Sequence, residues 1–164
     1  MKTIELDSKL DLVFERTAPV SAQIMWNAWT QPEQLMQWFT PAPWKTIGCD
    51  IDLRPGGLFH AAMQSPDGET FNNDGCYLEV VDNKRLTWTN TMSAGFRPAT
   101  AGAPGFVFTA IITFEPEGLS TTHYKAVVLH NNAEDRIKHE QLGFQDGWGA
   151  AYAQLLEMTK RVKS

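Results

Sequence analysis

The spacing of hydrophobic and polar positions changes along the chain, and each spacing predicts a type of secondary structure. Residues 10–16 largely alternate between apolar and polar side chains, which predicts a strand with one mainly buried face. Residues 20–29 repeat their apolar positions every three or four residues, which predicts a helix that begins at Ser21 or Pro19. Thr30 is a suitable N-cap for a second short helix.

Beyond residue 44 the pattern becomes one of strands separated by Gly-, Pro-, Asp- and Asn-containing turns. The short turns between these strands indicate antiparallel pairing. An Ala-, Gly- and Pro-rich stretch at 93–105 is either an irregular connection or a lid over the interior. The predicted strands span residues 44–53, 58–64, 69–81, 85–92, 106–115 and 120–129.

The C-terminal segment has apolar residues spaced alternately by four and three, which predicts one helix over residues 133–162. At about 1.5 Å per residue this helix reaches about 40 Å and crosses a whole sheet. Gly143, Gly147 and Gly149 interrupt it, and each costs about 1 kcal/mol relative to alanine. They indicate a close approach to the sheet, volume left for a ligand, or a kink or split near Gly147.

The order of elements indicates the α+β class. One strand, two short helices, about six further antiparallel strands and a long C-terminal helix are typical of a curved sheet wrapped around a helix. We expect a single domain over residues 1–164. Because the helix meets the sheet along one stripe only, we expect the rest of the concavity to form a pocket.

Large aromatic residues are abundant, with six Trp, nine Phe and three Tyr. Ligand pockets are mostly apolar, although the same side chains also pack against one another as core. We predict that the following residues line the pocket and bind its ligand: Trp38, Phe39, Trp44, Phe59, Met63, Trp88, Met92, Phe108, Trp148 and Tyr152.

The charge balance limits the class of partner. The chain has 164 residues and a net charge of −5, and without a Lys/Arg cluster this argues against nucleic-acid binding. No apolar stretch reaches the roughly 20 residues that span a bilayer, so we expect no membrane partner. The first positions carry acids, unlike a secretion signal, which favours the cytoplasm. A small apolar molecule is the expected partner, and a homodimer is left open.

Motifs for metals and cofactors are missing from the sequence. The four histidines have no metal-ligand spacing, and neither a Gly-rich phosphate loop nor a Gly-x-Ser-x-Gly elbow occurs. We therefore predict no metal and no cofactor. Cys49 and Cys76 are expected to be free thiols rather than a disulfide.

A set of motifs occurs in a characteristic order between residues 10 and 160. They are VFERTAP at 13–19, IMWNAWTQPE at 24–33, LMQWF at 35–39, DLRPGGLF at 52–59, PDG at 66–68, GCYLEVV at 75–81, RLTW at 85–88 and GW at 147–148. With these motifs the sequence resembles bacterial proteins related to the C-terminal domain of the activator of the ninety-kilodalton heat-shock protein ATPase. They belong to the SRPBCC superfamily, with the START, birch-pollen-allergen-like and polyketide cyclase proteins.

This resemblance implies a helix-grip fold with a hydrophobic cavity between the sheet and the C-terminal helix. Members bind lipids, steroids, polyketides or other small apolar molecules, and a minority catalyse reactions there, so fold alone does not assign function. The eukaryotic co-chaperones also use a separate N-terminal domain that this chain lacks. We therefore do not expect it to activate a chaperone ATPase.

An enzyme of the cyclase, dehydratase or hydrolase type would need an acid or base facing the cavity. Alternation places His60 outside if Phe59, Ala61 and Met63 line the interior. No second acid or base lies at a sequence spacing that would indicate a catalytic pair, so the catalytic residues stay unknown. Ligand binding is favoured over catalysis, and a protein-interaction module is the third alternative. The candidate groups are His60, Asp74, Glu79, His123, Tyr124 and His130.

Overall fold

The computed structural model describes residues 5–99 and 107–162. Helices and strands follow in the order that the sequence pattern predicts, and the α+β class is confirmed. The elements are β1 (Asp11–Ala18), α1 (Ala22–Thr30), α2 (Pro32–Leu35), β2 (Lys45–Ile51), β3 (Leu58–Gln64), β4 (Thr70–Val81), β5 (Arg85–Thr89), β6 (Met92–Ser93), β7 (Arg97–Pro98), β8 (Thr109–Pro116), β9 (Thr122–Leu129), α3 (Ala133–Gln141) and α4 (Phe144–Thr159).

Seven strands form one curved antiparallel sheet in the order β1-β9-β8-β5-β4-β3-β2. From β2 to β9 the chain moves across the sheet as a meander, whereas β1 lies at the far edge beside β9. The pairing of β1 with β9 runs from Asp11 opposite Leu129 to Ala18 opposite Thr122. The N-terminal strand therefore completes the sheet only through contact with the last strand.

The core lies between the concave face of the sheet and the helices. Every second residue of β8 and β9 faces it, such as Ile112 and Val128, which are fully buried. From α4, Leu155 and Met158 pack into the same cluster. This part of the concavity is filled with side chains.

The helix after β1 begins where Ser21 caps it. The Ser21 hydroxyl accepts a hydrogen bond from the backbone N–H of Ile24 at 3.2 Å, as a capping serine does. The prediction of Thr30 as the next cap is wrong. Thr30 is the last residue of α1, and its hydroxyl donates to the backbone oxygen of Trp26 at 2.8 Å. Gln31 precedes α2 and makes no side-chain cap.

The C-terminal segment forms two helices instead of the single helix predicted over residues 133–162. α3 ends at Gln141 and α4 begins at Phe144. Between them Gly143 has a φ of 95°, a left-handed conformation that ends a helix and that glycine adopts without steric penalty. The break thus lies at Gly143 and not at Gly147.

Part of the stretch predicted as a loop at 93–105 forms a small hairpin, β6 paired with β7. Its tip contacts the turn before β3, where the N–H of Gly95 donates to the backbone oxygen of Gly56 at 2.7 Å. Residues 100–106 lie outside the described residues. Within the described ranges, none of the helices has the length and apolar character needed to cross a membrane.

Candidate ligand-binding site

A cavity of about 1130 Å³ lies between the sheet and α4. Residues of β3, β4 and β5 form its sheet side, and Gly147, Trp148 and Ala151 of α4 form the opposite side. The β6–β7 hairpin and His139 of α3 also contribute to the lining. The curved sheet and the helix therefore enclose a space that the core leaves unfilled.

Trp29 of α1 is the centre of the aromatic wall. Its ring centroid lies 4.9 Å from that of Trp38, 5.1 Å from that of Trp88 and 6.3 Å from that of Trp148. The Trp29 indole N–H donates to the hydroxyl of Tyr124 at 3.1 Å, and that of Trp38 donates to a backbone oxygen of α1. With their polar groups bonded elsewhere, these indoles present apolar surface to the cavity.

Two glycines shape the cavity from opposite sides. A Cβ at Gly75 of β4 would lie 2.8 Å from the backbone oxygen of Thr89 and 3.3 Å from Cδ1 of Trp88. The missing side chain thus lets the Trp88 indole lie against the strand. A Cβ at Gly147 of α4 would have no heavy atom within 4 Å. Of the alternatives for this glycine, the structure supports volume left open and not a close approach to the sheet.

Most of the residues predicted to line the pocket lie on the cavity wall, namely Trp38, Phe39, Phe59, Met63, Trp88, Met92, Phe108 and Trp148. Trp44 does not, because it is partly exposed and packs against Phe71 with ring centroids 5.6 Å apart. Tyr152 also lies off the cavity. Its ring stacks on Tyr124 at 5.7 Å, and its hydroxyl donates to the backbone oxygen of Thr17. These two positions correct the predicted lining.

Polar groups are placed at a few points of the otherwise apolar wall. Asn72 and Asn73 of β4 and Arg97 of the hairpin line the cavity at exposed positions. The side-chain oxygen of Asn90 accepts a hydrogen bond from the N–H of Phe108 at 2.8 Å, which extends the pairing of β5 with β8 by one residue at the cavity wall. An apolar wall with few polar groups is the usual composition of a small-molecule site.

His139 is the ionisable ring on the helical side of the cavity. Its Nδ1 lies 2.9 Å from Nε2 of His130. Burial, and secondarily the neighbouring His130, lower the pKa of His139 from 6.5 to about 4. His139 is therefore uncharged at neutral pH.

Protein stability is expected to fall as the pH drops from about 7 to about 5. In the unfolded chain His139 binds a proton near 6.5, but in the folded protein only near 4, so the unfolded state binds more protons across this interval. The stabilisation is complete above pH 6.5 and is lost as the pH falls toward 4. Because the ring is half-buried, solvent screening limits the loss to about 1 kcal/mol.

Urea unfolding of the wild type and of His139→Gln at about pH 8 and about pH 5 measures this loss. The wild type should lose about 1 kcal/mol more than the variant, since the variant lacks the imidazole whose pKa is lowered in the folded protein. Equal losses would show that His139 does not carry this pH dependence.

Most candidate acids and bases from the sequence lie off the cavity. As predicted, Phe59 and Ala61 line it and His60 faces the other side of the sheet, where it pairs with Asp74. Asp74 is exposed and is among the residues around the cavity, but its carboxylate pairs with His60 and so faces the same side of the sheet as that ring. Glu79 accepts two hydrogen bonds from Arg85, at 2.6 and 2.9 Å, and these hold the pKa of Glu79 below its ordinary value.

The remaining candidates, His123, Tyr124 and His130, are not among the residues that line the cavity. His123 pairs with Glu15 across β9 and β1. Tyr124 is buried, and burial raises the pKa of its hydroxyl well above the ordinary value. Burial likewise raises the pKa of Cys49 to about 11, so this thiol stays protonated and is a poor nucleophile.

Both cysteines are free thiols, as the sequence predicts. In residues 5–99 and 107–162, no three His, Cys, Asp or Glu side chains lie close enough together to hold a metal ion.

Trp29 and His139 are among the residues of the cavity wall that sequence reasoning missed. Trp29 falls on the inner face of a predicted helix. Its spacing of four residues from Met25 predicts burial but does not indicate that one edge of the indole ring borders a cavity. His139 was overlooked because a continuous helix over 133–162 puts Ile137 and Gln141 on the apolar stripe. Gly143, in its left-handed conformation, ends that helical repeat. A glycine at this position is the signal that would have indicated a helix end and a change in the direction of the chain.

Known proteins match the chain over almost its whole length. The family model described as Activator of Hsp90 ATPase homolog 1-like protein matches residues 19–160. A crystal structure of a protein from Nitrosomonas europaea is 42% identical in sequence, with a TM-score of 0.89. That similarity covers 95% of this chain and 97% of the other.

Two more distant structures share the fold. A protein from Rhodobacter sphaeroides is 21% identical over 99% of this chain and 100% of its own, with a TM-score of 0.80. A solution structure from Arthrobacter aurescens is 18% identical over 99% and 93%, also with a TM-score of 0.80. No curated protein matches the sequence.

Proposed function

Because the chain belongs to the family of Activator of Hsp90 ATPase homolog 1-like proteins, we propose that it binds a small hydrophobic or amphipathic molecule. The family has a fold of the SRPBCC type, which is in general a ligand-binding fold. The proposed site is the cavity between the sheet and α4. This agrees with the function that the sequence favours.

The observation that carries the proposal is a cavity of about 1130 Å³ with a wall of indole and phenyl rings. Small-molecule sites measure roughly 300–1,000 Å³, so this cavity is large enough for an extended or multi-ring ligand. Aromatic contacts contribute about 0.5–1.5 kcal/mol each beyond area burial. Several such contacts are enough to hold an uncharged ring system.

Ligand binding is supported over cyclase-type catalysis by the positions of the candidate acids and bases. Glu79 pairs with Arg85, and His60 and His123 are hydrogen-bonded to Asp74 and Glu15 on the outer face of the sheet. Tyr124 and His130 are buried and hydrogen-bonded to neighbouring groups. A reaction in the cavity would need to use other groups, whereas binding needs only the apolar wall.

The proposal is tested with 1-anilinonaphthalene-8-sulfonate, a dye whose fluorescence rises in an apolar site. We expect saturable binding of the dye and its displacement by uncharged naphthalene derivatives, together with quenching of tryptophan fluorescence by the same compounds. Native mass spectrometry of the freshly purified protein should also reveal any small molecule that co-purifies.

Trp44→Ala is the matched control, because Trp44 lies off the cavity. It should bind the dye as the wild type does. Dye binding that cannot be saturated or displaced, with no change in tryptophan emission, would contradict the proposal.

A further inference from the structure

The β6–β7 hairpin places a positively charged side chain at the cavity. Arg97 of β7 lines the cavity, and it is the only Lys or Arg among the described residues around it. The hairpin fixes the backbone of this residue, because the Ser93 hydroxyl donates to the backbone oxygen of Arg97 at 3.3 Å. At the hairpin tip, the N–H of Gly95 donates to the backbone oxygen of Gly56 at 2.7 Å. The arginine therefore extends from an anchored backbone.

The guanidinium group of Arg97 has no anionic partner in the described part of the chain. It neither donates a hydrogen bond nor forms an ion pair there. Asp74 is the only acid among the described residues around the cavity, and its carboxylate pairs with His60 on the outer face of the sheet. By contrast, Arg54 in the turn before β3 forms an ion pair with Asp52 at 2.8 Å. The cavity wall thus carries a positive charge that none of the described carboxylates neutralises.

Asn73 of β4 adds an uncharged hydrogen-bond donor to the wall. It stands directly opposite Ala61 in the register of β4 with β3, and Ala61 lines the cavity. Residues directly opposite each other on paired strands share a face of the sheet, so Asn73 is on the cavity side. The strand β6 packs beside β4. An amide with two N–H donors and a guanidinium therefore adjoin the cavity from neighbouring elements.

The difference in exposure between these polar groups and the aromatic wall indicates how a ligand would lie. Arg97 and Asn73 are exposed, whereas Trp29 and Trp88 are buried. A charged group loses much free energy when it leaves water without a partner, but at an exposed arginine it keeps part of its hydration. One guanidinium balances one negative charge, and a phosphate monoester carries about two. A singly charged carboxylate therefore matches this wall better than a phosphate does.

We propose that the cavity binds amphipathic carboxylates, with the carboxylate at Arg97 and the apolar part against the indole rings. This inference rests on the proposed ligand-binding function and adds the charge and the orientation of the ligand. A guanidinium donates two parallel N–H groups to the two oxygens of a carboxylate. A carboxamide of the same shape offers one acceptor oxygen and no charge, so it should bind less tightly.

The test compares 2-naphthoate with 2-naphthamide, which share one ring system. Their dissociation constants for the full-length wild type are measured by titration calorimetry at about pH 7.5, where carboxyl groups are ionised. At about 0.01 M ionic strength we expect 2-naphthoate to bind roughly three- to fivefold more tightly, as an exposed ion pair allows. In about 1 M NaCl, where charges are screened over about 3 Å, this preference should largely disappear. Equal affinities at low salt, or tighter binding of 2-naphthamide, would overturn the inference.

Arg97→Gln should remove the preference by weakening 2-naphthoate to the level of 2-naphthamide, whose affinity should stay unchanged. Equal weakening of both compounds would mean that Arg97 only supports the hairpin, and the inference would be wrong. Arg54→Gln is the matched control, because it removes the same charge from an exposed arginine that pairs with Asp52 outside the cavity lining. It should keep the preference. Loss of the preference in both variants would point to the overall charge of the protein and would likewise contradict the inference.

Failure of the inference and failure of the proposed function give different results. If 2-naphthamide binds and displaces the dye but 2-naphthoate binds no more tightly, the cavity binds ligands without selecting carboxylates, and only the inference is wrong. If neither compound binds and the dye is not displaced, the proposed function is wrong and the inference is wrong with it.

Discussion

Replacing Gly147 with leucine is expected to stabilise the protein and to weaken ligand binding at least tenfold. A Cβ at this position would have no heavy atom within 4 Å, and Gly147 lines the cavity, so we expect the longer side chain to extend into the cavity. Replacing glycine with leucine inside a helix stabilises the folded state by about 0.5–1 kcal/mol, which raises Tm by roughly 1–4 °C for a chain of this size. Thermal unfolding and dye titration measure the two effects.

Gly149→Ala is the control for helix propensity. Its Cβ would lie 3.9 Å from the ring of Phe14, which is an ordinary contact outside the cavity lining. This variant should gain similar stability and bind the dye unchanged. If Gly147→Leu kept wild-type affinity, the ligand would have to bind elsewhere.

Trp29→Ala is expected to give the largest loss of stability, about 4–6 kcal/mol. Trp29 is 1% exposed and contacts three other indoles. Truncation of a buried tryptophan costs about 3–5 kcal/mol, and Tyr124 loses the N–H that donates to its hydroxyl, which adds about 1 kcal/mol. Urea unfolding followed by circular dichroism measures the change.

Trp44→Ala serves as the comparison because Trp44 is 37% exposed and contacts Phe71 near the surface. It should lose less than about 1 kcal/mol, as a surface substitution does. Similar losses in the two variants would mean that the aromatic wall is loosely packed and that Trp29 does not organise it.

The fold was largely predictable because its strands and helices have clear periodic patterns. The alternation in β1 and the turns between β2 and β5 predict the antiparallel meander, which the observed registers confirm. The order of the elements already predicts a curved sheet around the C-terminal helix, and the family motifs support the same arrangement. Local pattern and family resemblance together thus account for the architecture.

Structural details that depend on tertiary contacts were harder to predict from the sequence. The hairpin of β6 and β7 contacts Gly56, a residue far away in sequence, and its Ala- and Gly-rich surroundings have weak strand propensity. Tyr152 lies off the cavity although it follows the cavity residue Trp148 by one helical turn, because its ring stacks on Tyr124 and its hydroxyl donates to Thr17. Such positions follow from three-dimensional geometry and not from local spacing.

The partnership of β1 with β9 has a consequence for how the chain acquires its structure. Residues of the first strand find their neighbours more than a hundred positions later, as Asp11 does with Leu129, which gives the protein a high contact order and slows its folding. During synthesis β1 must wait, unpaired, until nearly the entire polypeptide has left the ribosome. Pairing of β1 with β9 is therefore expected to be a late, post-translational event. Truncations that remove β9 should leave β1 without its partner, and its unpaired backbone groups should promote aggregation.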